Sequence, residues 1–299
     1  MTASRKKRIL LAFDGSFHAM ESARYIGRIP AFQSMDIVLF HVFTKIPECY
    51  YDLEASTPMG SRMKEIRAWE AQQETEIQKA LEKARHLLIE EGVPEAHIHV
   101  NMHERQKGIA RDITSESKKG YAAVIVGRKG VSRIRDLVMG SVSAKLLEKL
   151  TFVPLIVVGR NAGAPRALVA LDRSENSWRA SEFAARMLGE TDWDLTLASV
   201  VRGDITECIE EARSAMADVF ERVTDRFVKS GIGRERIATR LISGAQSRAA
   251  VIVQKADQGG FGTIVVGRRG LSRVKDFFIG RVSNKVIQLA RDQAVWVVS

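Results

Sequence analysis

Two glycine-rich segments and the aspartates upstream of them hold the residues best suited to chemistry. Gly127-Arg-Lys-Gly130 is followed after nine residues by Gly140-Ser141, and Gly267-Arg-Arg-Gly270 after nine residues by Gly280-Arg281. Glycine puts no side chain between a backbone amide and a ligand, so Gly127 and Gly130 would let main-chain donors approach an anion closely. Gly140-Ser141 opens a helix-like stretch, Ser141 to Leu150. The first amides of a helix lack internal partners and carry partial positive charge, which suits phosphate. Asp14 has the opposite preference. Its carboxylate can accept hydrogen bonds from ribose hydroxyls or an amino group, and can help hold a divalent cation. A nucleotide best fits the combination.

These residues need elements that bring them together. Asp14 closes the apolar run Ile9 to Phe13, Val42 closes the run that begins at Ile37, and Gly127 directly follows Ala122 to Val126. Such short, nearly continuous apolar runs, with a further one at Pro154 to Val158, read as strands buried on both faces of a parallel sheet. Helix-like stretches lie between them: Ser16 and Ser174 are placed to cap the first helix of each half, and Glu65 to Glu91 and Ile205 to Lys229 are long, charged and periodic. Alternating strands and helices predict a doubly wound α/β sheet with right-handed crossovers. Ligands bind such sheets outside the carboxyl ends of the strands, at the switch point, which gathers Asp14, Val42 and Gly127 at one edge.

The pattern occurs twice. Arg8 to Asp14 aligns with Arg166 to Asp172, Asp36 to Val42 with Asp194 to Val200, and Val142, Ser143, Lys145 with Val282, Ser283, Lys285. The early pairs are 158 positions apart and the glycine segments 140 apart, so the first half carries an 18-residue insertion, assigned to the loop-like stretch Thr44 to Ser61. Its Tyr50-Tyr51 pair could serve a lid or a partner-binding loop. Self-similarity at this length means two domains, 1–160 and 166–299, rather than a solenoid. Each is long enough for its own core, and Gly159 to Pro165 is the expected join.

Composition narrows the classes. The chain has 299 residues, 45% of them hydrophobic, and only two cysteines, Cys49 and Cys208, at positions that do not match between halves. Neither a disulfide framework nor a zinc site is indicated. No apolar stretch is long enough for a membrane helix, and Arg5 to Arg8 leads into a strand-like run rather than a signal peptide, so a cytoplasmic setting is expected. The formal charge is +10. Arg128, Lys129, Arg133 and Arg135, with Arg268, Arg269, Arg273 and Lys275, would concentrate that charge at the phosphate sites and steer an anion there. No nucleic-acid reading motif accompanies it, so a nucleic-acid partner is not expected. His97 and His99, alternating along a strand, would share a face, but no cysteine or acidic cluster joins them and no metal site is assigned.

On these motifs the chain resembles a tandem universal stress protein of the ATP-binding branch. The resemblance rests on the aspartate ending strand one and on Gly-x2-Gly-x9-Gly-Ser between strand and helix, and it covers essentially the whole chain. It implies two Rossmann-like, five-stranded parallel-sheet domains of the adenine nucleotide alpha hydrolase type. It implies that Asp14 and the backbone of Val42 contact adenosine while Ala12 and Val126 line its pocket. Gly127, Lys129 and Gly130 would approach the ribose and phosphates, and Gly140, Ser141, Val142 and Ser143 would cradle the phosphate tail. ATP, ADP or AMP would be the ligand, with Mg2+ or Mn2+ accompanying a triphosphate. Members act mainly as nucleotide-dependent regulators of stress and dormancy, some with slow hydrolysis or autophosphorylation. They also pair domains through their last strands, which makes Val153 to Val158 and Ala294 to Val298 exposed-edge candidates for an internal pseudo-dimer and a further homodimer.

The second half departs from the pattern. Its corresponding residues are Asp172, Val200, Gly267, Gly270, Gly280, Arg281 and Ser283, with Arg281 in place of Ser141 and Arg173 in place of Gly15. Arg281 either fills the phosphate space with its own guanidinium or swings aside and binds phosphate itself. The expectation is one tight nucleotide per chain, in the first half. No P-loop, no Gly-x-Gly-x2-Gly fingerprint and no Gly-x-Ser-x-Gly elbow occurs, and no positioned general base is evident, so any hydrolysis should be slow. An interaction scaffold with incidental nucleotide, or a polyanion-binding surface, are the alternatives.

Overall fold

The structure, a computed structural model, describes residues 7–45, 59–129, 139–270 and 279–299. The first half runs β1 (Arg8–Ala12), α1 (Phe17–Gly27), a short α2 (Pro30–Gln33), β2 (Asp36–Phe43), α3 (Met59–Glu90), β3 (Ile98–Glu104), α4 (Ile109–Ser117), β4 (Ala123–Gly127), α5 (Ser141–Lys149) and β5 (Leu155–Val158). The second runs β6 (Arg166–Ala170), α6 (Glu175–Leu188), β7 (Asp194–Arg202), α7 (Thr206–Lys229), β8 (Ile237–Ala245), α8 (Arg248–Gln258), β9 (Thr263–Gly267), α9 (Arg281–Leu289) and β10 (Ala294–Val298). Ser16 and Ser174 cap α1 and α6 as expected, each accepting a hydrogen bond from the amide three residues on. No helix among the described residues is long and apolar enough to cross a membrane.

The two parallel five-stranded units join into one ten-stranded sheet, ordered β3-β2-β1-β4-β5-β10-β9-β6-β7-β8. At the seam β5 and β10 pair antiparallel, with Ile156 opposite Trp296. This corrects the reading of the last strands as exposed edges: each is fully or almost fully buried, and the outer strands of the sheet are β3 and β8. The core divides by sheet face rather than by half. One layer holds Ile9, Leu11 and Ile125 together with Val169, Val265 and Trp296; the other holds Leu10 and Val124 together with Leu168 and Ile264. Alternate residues of a strand point to opposite faces, so a sheet that runs through the seam carries both layers with it. The expectation of a separate core for each half is therefore not met.

The join is packed. The Gly159 and Asn161 amides donate to the Gln293 and Asp292 carbonyls at 3.1 and 2.9 Å. A Cβ at Gly159 would lie 2.6 Å from the Arg291 carbonyl oxygen, so the small residue there permits close contact rather than supplying a hinge. Across the seam the buried Tyr25 hydroxyl meets Thr263 Oγ1 at 2.7 Å and accepts from Trp296 Nε1 at 2.8 Å. The equivalent positions in the other direction are Phe183, Ala123 and Ile156, which have no polar side-chain atoms.

The loop-like reading of Thr44 to Ser61 does not hold at its end. Met59, Gly60 and Ser61 already belong to α3, which has 32 residues against 24 in α7. Part of the added length therefore extends a helix; residues 46–58, including Tyr50 and Tyr51, lie outside the described residues.

Candidate functional site

The switch point falls where predicted. β1 lies between β2 and β4, with Ala12 opposite Phe40 on one side and Val126 on the other, so Asp14 just past β1, Val42 next to last in β2 and Gly127 last in β4 gather at three neighbouring carboxyl ends. Ala12 and Val126 are buried on the same face, with Val42 and Val142 packed beside them. They form an apolar wall next to the polar turn.

That turn is built by short-range hydrogen bonds. Asp14 Oδ1 accepts the Ser16 amide at 3.0 Å, which folds Asp14-Gly15-Ser16 back on itself, and Gly15 takes φ +76°, a left-handed value that favours glycine. Ser16 Oγ donates to the Lys129 carbonyl at 3.3 Å and so ties the glycine loop to the start of α1. The Gly140 amide donates to the Arg128 carbonyl at 2.8 Å and closes that loop. Residues 130–138, and with them Gly130, Arg133 and Arg135, lie outside the described residues.

Two residues take roles the sequence did not suggest. A Cβ on Gly127 would lie 2.8 Å from the backbone carbonyl carbon of His18, so this glycine is required by the packing of α1 on the end of β4. Ser143 is 2% exposed and donates to the Gly127 carbonyl at 2.8 Å; its hydroxyl holds α5 to β4, while Ser141 is exposed at the helix start. His18, which the sequence reading passed over, lies in the first turn of α1 beside this loop. Burial, then the charges of Lys129 and Arg128, hold its pKa below the usual histidine value. Its only signal in the sequence is the contrast with Asn176 at the matching position.

The second half keeps the frame. Asp172 Oδ1 accepts the Ser174 amide at 2.9 Å, Ser174 Oγ donates to the Arg269 carbonyl at 3.3 Å, the Gly280 amide donates to the Arg268 carbonyl at 2.8 Å, and Ser283 donates to the Gly267 carbonyl at 2.6 Å. Gly267 again meets a helix start, a Cβ there lying 2.6 Å from the Asn176 carbonyl carbon. The ligand-facing details differ. Arg173 is not left-handed as Gly15 is, so the peptide after the aspartate is turned differently. Asp172 Oδ2 lies 2.6 Å from where a Cβ on Gly270 would be, drawing the carboxylate over the loop. Val200, at the end of the next strand, stays buried. Arg281 is exposed at the start of α9.

Arg128 and Arg268 overturn part of the charge argument. Each is only 2% exposed and crosses the seam. Arg128 Nη1 donates to the Ile287 carbonyl in α9 at 2.6 Å, and Arg268 Nη1 donates to the matching Leu147 carbonyl in α5 at 2.7 Å. Arg268 also donates through Nη2 to the Leu150 carbonyl and through Nε to Ser299 Oγ at 2.9 Å. The last carbonyls of a helix lack partners and carry partial negative charge, so each guanidinium completes the other half's final helix. Burial lowers both to about 10, still charged at neutral pH. Neither steers a ligand; sequence spacing alone could not reveal that the residue after each glycine turns away from the loop.

Known proteins share both the pattern and the architecture. The universal stress protein family pattern matches residues 6–159 and again 164–299. A universal stress protein of Mycolicibacterium smegmatis is 25% identical over 277 residues, covering 87% of this chain and 90% of the relative. Universal stress protein YxiE of Bacillus subtilis is 26% identical over 142 residues, 42% of this chain and 93% of its own length. A solved universal stress protein from Archaeoglobus fulgidus covers 99% of both chains with a TM-score of 0.68 at 20% identity, a likeness of fold. With the family pattern spanning nearly all of the chain in two successive copies, the chain belongs to the universal stress protein family.

Proposed function

We propose that the first half binds an adenine nucleotide, ATP or its di- or monophosphate, and that occupancy regulates contacts with a partner rather than driving turnover. The observation that carries this reading is the closed loop between the Arg128 carbonyl and the Gly140 amide, set beside Asp14 at the switch point. Ala12, Val42 and Val126 would receive the adenosine side, and Lys129, Gly140, Ser141 and Val142 the phosphates. Ser143 would act through the loop it pins. Gly127 would do the same through packing, and Gly130 would complete the cradle.

Asp14 is the carboxylate at this edge, and no group of three or more metal-ligating side chains occurs among the described residues. Mg2+ or Mn2+ would therefore be held mostly by the triphosphate, with Asp14 the protein's contribution, as suits a cation that keeps most of its water. Slow hydrolysis is the most this reading assigns to the site: among the described residues His18 is the group beside the loop that could serve as a base, and it is half-buried at the start of α1.

The second half, through Asp172, Val200, Gly267, Gly270, Gly280, Arg281 and Ser283, would bind nucleotide weakly or in another form. The β5–β10 seam supports an internal pseudo-dimer; a homodimer would need a different surface, since neither last strand is open. A cytoplasmic setting completes the reading. Denaturing the purified protein and measuring the released nucleotide tests it: about one adenine nucleotide per chain is expected, and none even after incubation with Mg-ATP would overturn it.

A further inference from the structure

The helix pairs α1/α3 and α6/α7 cover equivalent faces of the sheet, yet the grooves between them differ. In the second half the groove is filled: Trp178 lies under Arg226 and Arg222, whose guanidinium carbons are 4.1 and 4.7 Å from the ring centroid. Arg226 is also paired with Glu182 at 3.1 Å. In the first half the matching residues are Met20, Leu87 and Lys83, and an open cavity of about 510 Å³ takes the place of the indole. Small-ligand cavities fall in this size range, about 300 to 1,000 Å³.

The lining says what would fit. Met20, Ala80 and Leu87 form an apolar floor, and Phe17, 61% exposed, stands at one side. Lys79 and Lys83 lie on the rim, neither bonded to any described residue, whereas the nearby Arg24 is already paired with Glu21. Trp178 shows, within the same molecule, that this groove accepts a planar aromatic ring against a cation at the Lys83 position. A ring stacked near an ammonium is favoured by its quadrupole, and an anionic substituent would meet two unpaired lysines.

We propose that the α1/α3 groove binds a small planar aromatic anion, an indole- or benzene-sized ring bearing a carboxylate or sulfonate. Among the described residues the groove includes none of the glycine loop and meets the aspartate turn at Gly15. It does not depend on the nucleotide reading.

Calorimetric titration of the full chain with indole-3-carboxylate, with neutral indole alongside, tests the site. One equivalent should bind, more tightly than indole. Met20→Trp, which copies the second half, should weaken binding by at least about tenfold with the melting temperature retained; tenfold corresponds to about 1.4 kcal/mol. The surface variant Lys79→Glu/Lys83→Glu should weaken the carboxylate similarly, leave indole nearly unchanged, and leave Mg-ATP binding as it was. No binding up to millimolar ligand, equal affinity for indole, or undiminished binding by both variants would each overturn the proposal.

Discussion

The two halves share a backbone frame and differ in what fills it. Both tie an aspartate turn to a glycine loop through a serine hydroxyl, and both pin the last helix to the fourth strand through a buried serine. The first half then leaves its spaces open, with glycine after the aspartate, serine at the helix start and methionine in the outer groove. The second fills or charges them with Arg173, Arg281 and Trp178. Duplication kept the interactions that hold loops in place and varied the side chains that face solvent or ligand. Those two sets are separable because the frame rests on aspartate and serine side chains that bond the backbone and recur in both halves, so neighbouring side chains outside those bonds can change without loosening the loops.

The sharpest way to break the comparison is to exchange its ends. Ser141→Arg should reduce nucleotide affinity of the first half by about 100-fold, roughly 2.7 kcal/mol, by placing a long cation where backbone amides face phosphate. Calorimetry with Mg-ATP reads it; unchanged affinity would mean that the exposed helix start does not receive phosphate.

The crossing arginines should give the largest effect on stability, and an unequal one. Among the described residues the Arg268 guanidinium makes at least three hydrogen bonds across and near the seam, and Arg128 donates to the Ile287 carbonyl. Arg268→Ala should cost about 4.5 kcal/mol or more and Arg128→Ala about 1.5 kcal/mol, since bonds from charged donors contribute about 1.5 to 3 kcal/mol each and the buried Nε and Nη2 of Arg128, without partners, offset part of its bond. Urea denaturation of the whole chain measures both. Equal losses would show that the asymmetry in hydrogen bonding carries no energy.

Tyr25→Phe copies Phe183 and removes a hydroxyl that serves Thr263 and Trp296. Two buried polar groups lose their partner, and a loss of about 1 to 2 kcal/mol is expected in the same denaturation experiment.

The smallest effect is a pH dependence. The folded pKa of His18 is lowered, first by burial and then by neighbouring cations, so its contribution is present above the unfolded value of 6.5 and is lost as pH falls through the folded one. Stability of the protein should therefore decrease on acidification below 6.5, and His18→Asn, copying Asn176, should flatten that part of the curve. Thermal midpoints between pH 7.5 and 5 decide it; an unaltered slope would remove His18 from the account.

Much of this was legible in the residues. The strand runs, the serine caps and the convergence of Asp14, Val42 and Gly127 were readable because they follow from local periodicity and chain order. The partition of the core, the closed last strands and the packed join were not. Gly159 looked like a linker, yet its small size answers a backbone segment over 130 residues away. Gly127 looked like a ligand contact and is first a packing contact. His97 looked like a strand residue facing with His99, but it ends a short turn before β3 and its Nδ1 lies 3.2 Å from the Gln33 carbonyl.

By itself the sequence determined the duplicated α/β plan and the edge at which its chemistry gathers, because apolar periodicity and glycine placement act over neighbouring residues. Only the tertiary structure decided that the two copies form one sheet, that Arg128 and Arg268 serve the opposite half, and that one outer groove is open while its twin is filled. Each of those outcomes depends on which distant backbone carbonyl or side chain comes within hydrogen-bonding or stacking distance, and spacing along the chain does not encode it.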